Sequence, residues 1–301
     1  MGLFFNYNKP GPGVDKDAPK KKGVFRFFEI FGRKIGKLFQ LNMMYFICSL
    51  PILVLLYLFF VPFISGLLSE MPLAEAGISE ESLTTYQAMV NLFLTAMSVT
   101  LFGSGPASCA AAYIERCFVR EQHAWMMSDF LGKYKENFKQ SMILSVLDIV
   151  ITAAAFFAIS FYYNQFTNTG NNIWFVLMAV LIIAEFVYSF MHCYIYQLMV
   201  TFEDKLTHHI KNAVLLTFST FPFLLVIMVI ITVIAYLLFT TFSPMFALIL
   251  SFLCLLTFLR FPIEFYASSV IQKKILDTIP GDDEEFKEKE TADSDQNGIN
   301  L

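Results

Sequence analysis

From Lys139 to Lys205 the chain reads KQSMILSVLDIVITAAAFFAISFYYNQFTNTGNNIWFVLMAVLIIAEFVYSFMHCYIYQLMVTFEDK, with no lysine or arginine between its two ends. Two apolar runs, 141–163 and 173–200, flank a polar turn rich in Asn, Thr and Gly. Each run meets the roughly 20 residues that a helix needs to cross a bilayer. The segment is therefore expected to leave one membrane surface, turn beyond the other and come back. The rest of the chain repeats this pattern, for all 21 Lys and Arg residues lie in 1–39, 116–139, 205–211 or 260–289. Basic residues confined to alternate connections are the mark of a multi-pass membrane protein whose basic loops face the cytoplasm.

Six apolar runs have spanning length: 41–64, 87–118, 141–163, 173–200, 212–240 and 245–270. The connections 66–86, 162–172 and 240–244 lack Lys and Arg, and the first carries Glu70, Glu75, Glu80 and Glu81. These are expected outside and both termini inside. The fold expected is all-α, a polytopic bundle of six transmembrane helices arranged as three outward-opening hairpins. Before it, residues 1–22, rich in Gly, Pro and Lys, read as a mobile cytoplasmic arm. Residues 23–40 place Phe27, Phe28, Phe31, Ile35, Leu38 and Phe39 at helical spacing, with Arg26, Glu29, Arg33 and Lys37 opposite. That pattern predicts an amphipathic helix on the inner leaflet. The membrane domain covers 41–275, and 276–301 is expected to be a disordered acidic tail.

Composition agrees, with 56% hydrophobic and only 15% charged residues among 301. Such a chain carries more apolar surface than a water-soluble core requires, so the lipid bilayer is its first partner. The formal charge of −4 is a property of the tail: 282–295 holds eight acidic and two basic residues, which leaves +2 for the remainder. Cys48, Cys109, Cys117, Cys193 and Cys254 fall in or at the ends of apolar runs without a CxxC pair, and are expected to be reduced packing residues. The first apolar run starts near Leu41 behind a long polar stretch, which predicts a first span rather than a cleaved signal. Asn6 stands where a myristoylation site needs Ser or Thr. A weak repetition links 138–145 to 210–217, one hairpin apart; basic residues before any apolar helix produce the same look.

Candidate functional residues fall into three groups. Gly105 and Pro106 interrupt the hydrogen-bond ladder of the second run, as in transporters that bind solute at broken helices; close packing of small residues is the other reading. Glu185 and His192, seven residues apart, share a helix face and are candidates to line a cavity, with Arg260 as counter-charge. Asp148, Arg260 and Glu264 are expected to be structural ion-pair members, since unpaired charges in a membrane are costly. The third group is the polar 115–140 stretch, with Arg116, Arg120, Glu121, Trp125, Asp129, Phe130, Asn137, Phe138 and Lys139. It suits either a helix anchored at the interface or a docking surface for a soluble partner.

Catalysis is not expected. His123, His208 and His209 lack the ligand spacing of a zinc site, and neither a phosphate-binding loop nor a nucleophile elbow occurs. No metal, cofactor or catalytic residue is assigned, and the basic patches beside the spans fit lipid headgroups rather than nucleic acid.

Gly105-Pro106-Ala107-Ser108, Arg120-Glu121, Trp125, Asp129-Phe130 and the run Tyr134-Lys135-Glu136-Asn137-Phe138-Lys139-Gln140 resemble the YesL-like family of bacterial integral membrane proteins. Lys211-Asn212-Ala213 is similar to that family's entry to a fifth span, while Ser108 and Tyr134 depart from its usual Thr and Phe. The resemblance runs from about Phe4 to Ile275. It implies a Gram-positive cell membrane and a role accompanying carbohydrate uptake, beside a sugar-importing ABC transporter, and it assigns no catalytic residues. The expected function is thus an accessory or regulatory membrane protein of oligosaccharide uptake. The alternative is a small-solute carrier or channel lined by the broken second helix with Glu185 and His192.

Overall fold

The computed structural model of the chain describes residues 23–55, 105–243, 246 and 249–278. Seven α-helices are found there: α1 (Val24–Leu55), α2 (Pro106–Arg120), α3 (Met126–Glu136), α4 (Phe138–Thr169), α5 (Asn172–Thr201), α6 (Leu206–Thr241) and α7 (Leu256–Lys274). A π-helical turn, Ser251–Leu255, leads into α7, and a 3-10 turn, Leu276–Thr278, follows it. No strand occurs among the described residues. Four helices are long and apolar enough to cross a membrane: 138–169, 172–201, 206–238 and 252–274. They fit a multi-pass membrane protein and correspond to the last four expected spans. The arm 1–22, the loop 66–86, the tail beyond 278 and parts of the first two expected spans lie outside the described residues.

The α4–α5 hairpin is tighter than the expected loop 162–172, because its polar residues continue both helices. Thr167 and Thr169 return their hydroxyls to the carbonyls of Asn164 and Gln165, at 2.9 and 2.6 Å. Gly170, at φ 64°, then ends α4 in the left-handed conformation that glycine adopts without penalty. Asn171 starts α5 by accepting the Ile173 amide on its side-chain oxygen at 3.0 Å.

Residues 24–55 form one continuous helix, with no break marking the expected division at residue 40. Its aromatic stripe divides. Phe28, Ile35 and Phe39 remain exposed, whereas Phe27 and Phe31 turn onto α7, with ring centroids 5.8 and 6.1 Å from Phe261, and Leu38 is fully buried. Such aromatic pairs contribute about 0.5–1.5 kcal/mol each beyond their buried area. Opposite the π-turn, the Asn42 amide donates to the Phe252 carbonyl at 2.7 Å, and its oxygen accepts from the Thr257 amide at 2.9 Å. Asn42 thereby satisfies both sides of the ladder where α7 is wound too wide.

At the centre lies α2. Its 15 residues reach about 22 Å, short of the roughly 30 Å hydrocarbon layer. It packs against α1, α3, α5 and α7. Pro106 to Ala112 are all small and buried, which lets four neighbours approach its backbone closely. Two apolar clusters follow, one joining α5, α6 and α7, the other joining α1, α2 and α7.

Candidate functional site

Gly105 is where α2 begins. Its φ of 100° and ψ of −177° lie in a region essentially restricted to glycine, and Pro106 follows at the first helical position, where its missing N–H costs nothing. The Gly105 amide donates to the hydroxyl of Tyr196 on α5 at 2.9 Å, so the start of α2 is held by a side chain from a different helix. Beside it, Ser108 meets the Tyr45 hydroxyl at 3.0 Å.

Arg260 enters the same region from α7. Its guanidinium donates to the Ser108 carbonyl at 2.8 Å and pairs with Glu264 at 2.6 Å and Glu115 at 3.3 Å. The rings of Tyr45 and Tyr196 flank it, 5.6 and 5.8 Å away, at distances where a cation is drawn to an aromatic face. Gln197 completes the knot by donating to Glu264 at 2.6 Å and to the Ala112 carbonyl at 3.0 Å. Glu115 is fully buried, as are Ser108 and Gln197.

A second knot lies between α4 and α5. Tyr188 donates to Asp148 at 2.5 Å, and His192 Nε2 stands 2.9 Å from the same carboxylate oxygen. Glu185, one helical step away, accepts from Thr152 at 3.4 Å. Residues 185, 188, 192 and 196 recur at helical spacing, which puts them on one face of α5. Tyr196 joins the two knots, its ring 5.9 Å from His192 on one side and beside Arg260 on the other.

The structure therefore corrects one expected pairing. Arg260 does not serve Glu185 or His192, because Glu115 and Glu264 occupy it; Asp148 pairs with His192 and Glu185 meets Thr152. The i,i+4 pair Arg260–Glu264 is as expected. Gly105 and His192, far apart in the chain, each contact Tyr196. Tyr196, Tyr45, Gln197 and Asn42 were missed by sequence reasoning. The signal that could have found them is a polar side chain inside an apolar run, which needs a partner at membrane depth.

The 115–140 stretch is the end of α2, a turn, all of α3 and the first residues of α4 rather than one helix. Glu121 ends α2 at φ 62°, its amide returning to the carbonyls of Cys117 and Phe118. Its carboxylate pairs with Arg33 of α1 at 2.8 Å. Asp129 accepts the Trp125 amide at 2.8 Å and so starts α3, while Asn137 donates back to the Lys133 carbonyl at its end. Phe130 is fully buried under α2 and is no part of a surface. Arg116 and Arg120 tie down neighbours, reaching the Val200 carbonyl at 3.3 Å and Gln272 at 2.5 Å. With Arg26 on the Val119 carbonyl and Gln140 on that of Asp204, these bonds gather the basic connections at one end of the bundle. Trp125 and Met127, 70% and 60% exposed, project from that end together with Phe138 and Lys139.

Residues 87–161 match the model of a family described as a protein of unknown function, DUF624. The matched segment contains Gly105, Glu115, Asp148 and Thr152, together with all of α3. No curated protein and no solved structure matches the chain.

Proposed function

We propose that this chain is an integral membrane accessory or regulatory protein of carbohydrate uptake, working from the bacterial cell membrane through a cytoplasmic docking surface. The observation that carries this reading is α3. It stands between α2 and α4 as a short helix fixed by Met126 and Phe130 on one side, and it exposes Trp125, Met127 and Leu131 on the other. Large apolar side chains held out on a rigid, charged frame are what a partner surface requires. Arg116, Arg120, Glu121, Asp129 and Asn137 serve as that frame, while Trp125, Phe138 and Lys139 are exposed for contact. The resemblance of the same stretch to the YesL-like family supports a sugar-importing ABC transporter as the partner.

The test is copurification from mild detergent. The wild-type chain should carry importer subunits with it, and the double change Trp125→Ser and Met127→Ser should lose them while the helical content stays the same. Equal recovery from both proteins would contradict the role of α3.

One observation favours a second reading, a small-solute carrier. Tyr196 contacts both the Gly105 amide at the start of α2 and the His192 ring, and Glu185 lies two turns before His192 on the same helix, which supports a grouping of Gly105, Pro106, His192 and Glu185. Solute flux in liposomes from the purified chain alone would support it over the accessory role.

A further inference from the structure

Four carboxylates are buried in the described helices, Glu115, Asp148, Glu185 and Glu264, and among the described residues the cations that pair with them are the guanidinium of Arg260 and the imidazole of His192. The imbalance is sharpest around Arg260, where two carboxylates share one cation. Glu264 takes the better part of it, accepting from Arg260 Nε at 2.9 Å and from Gln197. Glu115 is left with a contact of 3.3 Å that is not a hydrogen bond. Neither of its oxygens has a hydrogen-bond partner among the described residues, nor does the side-chain oxygen of Gln197, whose amide nitrogen donates to Glu264.

We propose that Glu115 is a proton-binding site of the membrane domain, which takes up one proton to become a neutral acid and gives it up as a carboxylate. Three observations carry this. Glu115 is wholly enclosed, so water does not offset its charge. The positive charge beside it is already committed to Glu264. Its own two oxygens are buried acceptors without a hydrogen-bond partner among the described residues, and a bound proton removes the charge that makes this costly. A bound proton turns Glu115 into a donor and leaves the Arg260–Glu264 pair balanced.

Among the described residues, few groups face Glu115. From α7 come Arg260, at 3.3 Å, and Glu264, which shares that guanidinium. Neutral Gln197 and Tyr196 come from α5 and Tyr45 from α1, through their contacts with Ala112, Glu264 and Arg260. On α4, Asp148 is engaged with His192 and Tyr188. Of the charges on α3, Lys133 lies over the Tyr113 ring at 5.3 Å and Asp129 acts on that same tyrosine. Within α2 itself, Arg116 is turned to the Val200 carbonyl. The site is independent of whether the protein acts as accessory subunit or carrier.

Infrared difference spectroscopy of the full chain in liposomes, between neutral and alkaline buffer and in both H2O and D2O, reads the proton directly. The expected result is a carboxylic-acid carbonyl band that shifts down in D2O, is lost in Glu115→Gln and moves in Glu115→Asp. The band should keep its position in Glu264→Asp. A wild-type spectrum without an acid band, a band that survives Glu115→Gln, or one that moves with Glu264→Asp and not with Glu115→Asp would overturn the proposal. The Asp variant also decides the matter if the Gln variant does not fold.

Discussion

Tyr196 and Gly105, 91 residues apart in the chain, are joined by a hydrogen bond of 2.9 Å from the glycine amide to the phenol oxygen. The bond fastens the amide at the start of α2 to α5, near the C-terminal end of that helix, and its loss leaves a buried N–H unpaired. Tyr196→Phe is therefore expected to lower stability in detergent by about 1–3 kcal/mol while retaining the ring beside Arg260. Chemical unfolding followed by circular dichroism measures it. Gly105→Ala should destabilise by a similar order, about 1–3 kcal/mol, because only glycine adopts its backbone angles without strain.

Arg260 stands between Glu115 and Glu264. Arg260→Met is expected to leave Glu264 without its cation, at a cost of about 3–5 kcal/mol. Adding Glu115→Gln and Glu264→Gln to the same chain should recover most of that loss, since the triple variant buries no charge in the cluster. A triple-mutant cycle on thermal unfolding checks the coupling, and simple additivity of the three changes would contradict it.

Asn42 bridges the Phe252 carbonyl and the Thr257 amide across the π-turn. Asn42→Leu keeps the apolar contact of α1 with α7 but removes both bonds. Two buried backbone groups then lose their partner, so a loss of about 2–4 kcal/mol is expected. Asn42→Asp should cost less in the half that faces Thr257, because the acceptor remains.

The helical class and the last four spans were legible from charge and apolar run length, because a bilayer imposes both on the sequence. What was not legible is which polar groups meet. Arg260 and Glu264 lie one turn apart and could be paired from spacing alone, but Glu115 reaches Arg260 only because the small residues of α2 let α7 come close. Tyr196 and Gln197 sit among apolar residues in an unremarkable stretch of α5, and only the packing of α2 and α7 against it gives them partners. The 115–140 stretch misled for a different reason: Phe130 has the same helical spacing as Trp125, yet the turn at Glu121 folds one onto α2 and leaves the other outside.

Glu185 meets Thr152 at 3.4 Å, and no arginine depends on it. Glu185→Gln is expected to change the melting temperature in detergent by only a few degrees, because the amide preserves the contact with the threonine. If the carrier reading holds, the same variant loses solute flux at unchanged stability. A large fall in melting temperature would show instead that Glu185 holds the α4–α5 pair together.

The arrangement of the chain across a membrane is tested most directly by cysteine accessibility in intact cells. Asn168, near the α4–α5 turn, and Lys135, on α3, are both exposed and lie at the two ends of α4. With the native cysteines replaced, a membrane-impermeant thiol reagent added from outside should label a cysteine introduced at Asn168 and leave one at Lys135 unlabelled until the membrane is opened. Labelling of Lys135 from outside, or of both positions alike, would contradict a bundle that crosses the bilayer with its basic end inside.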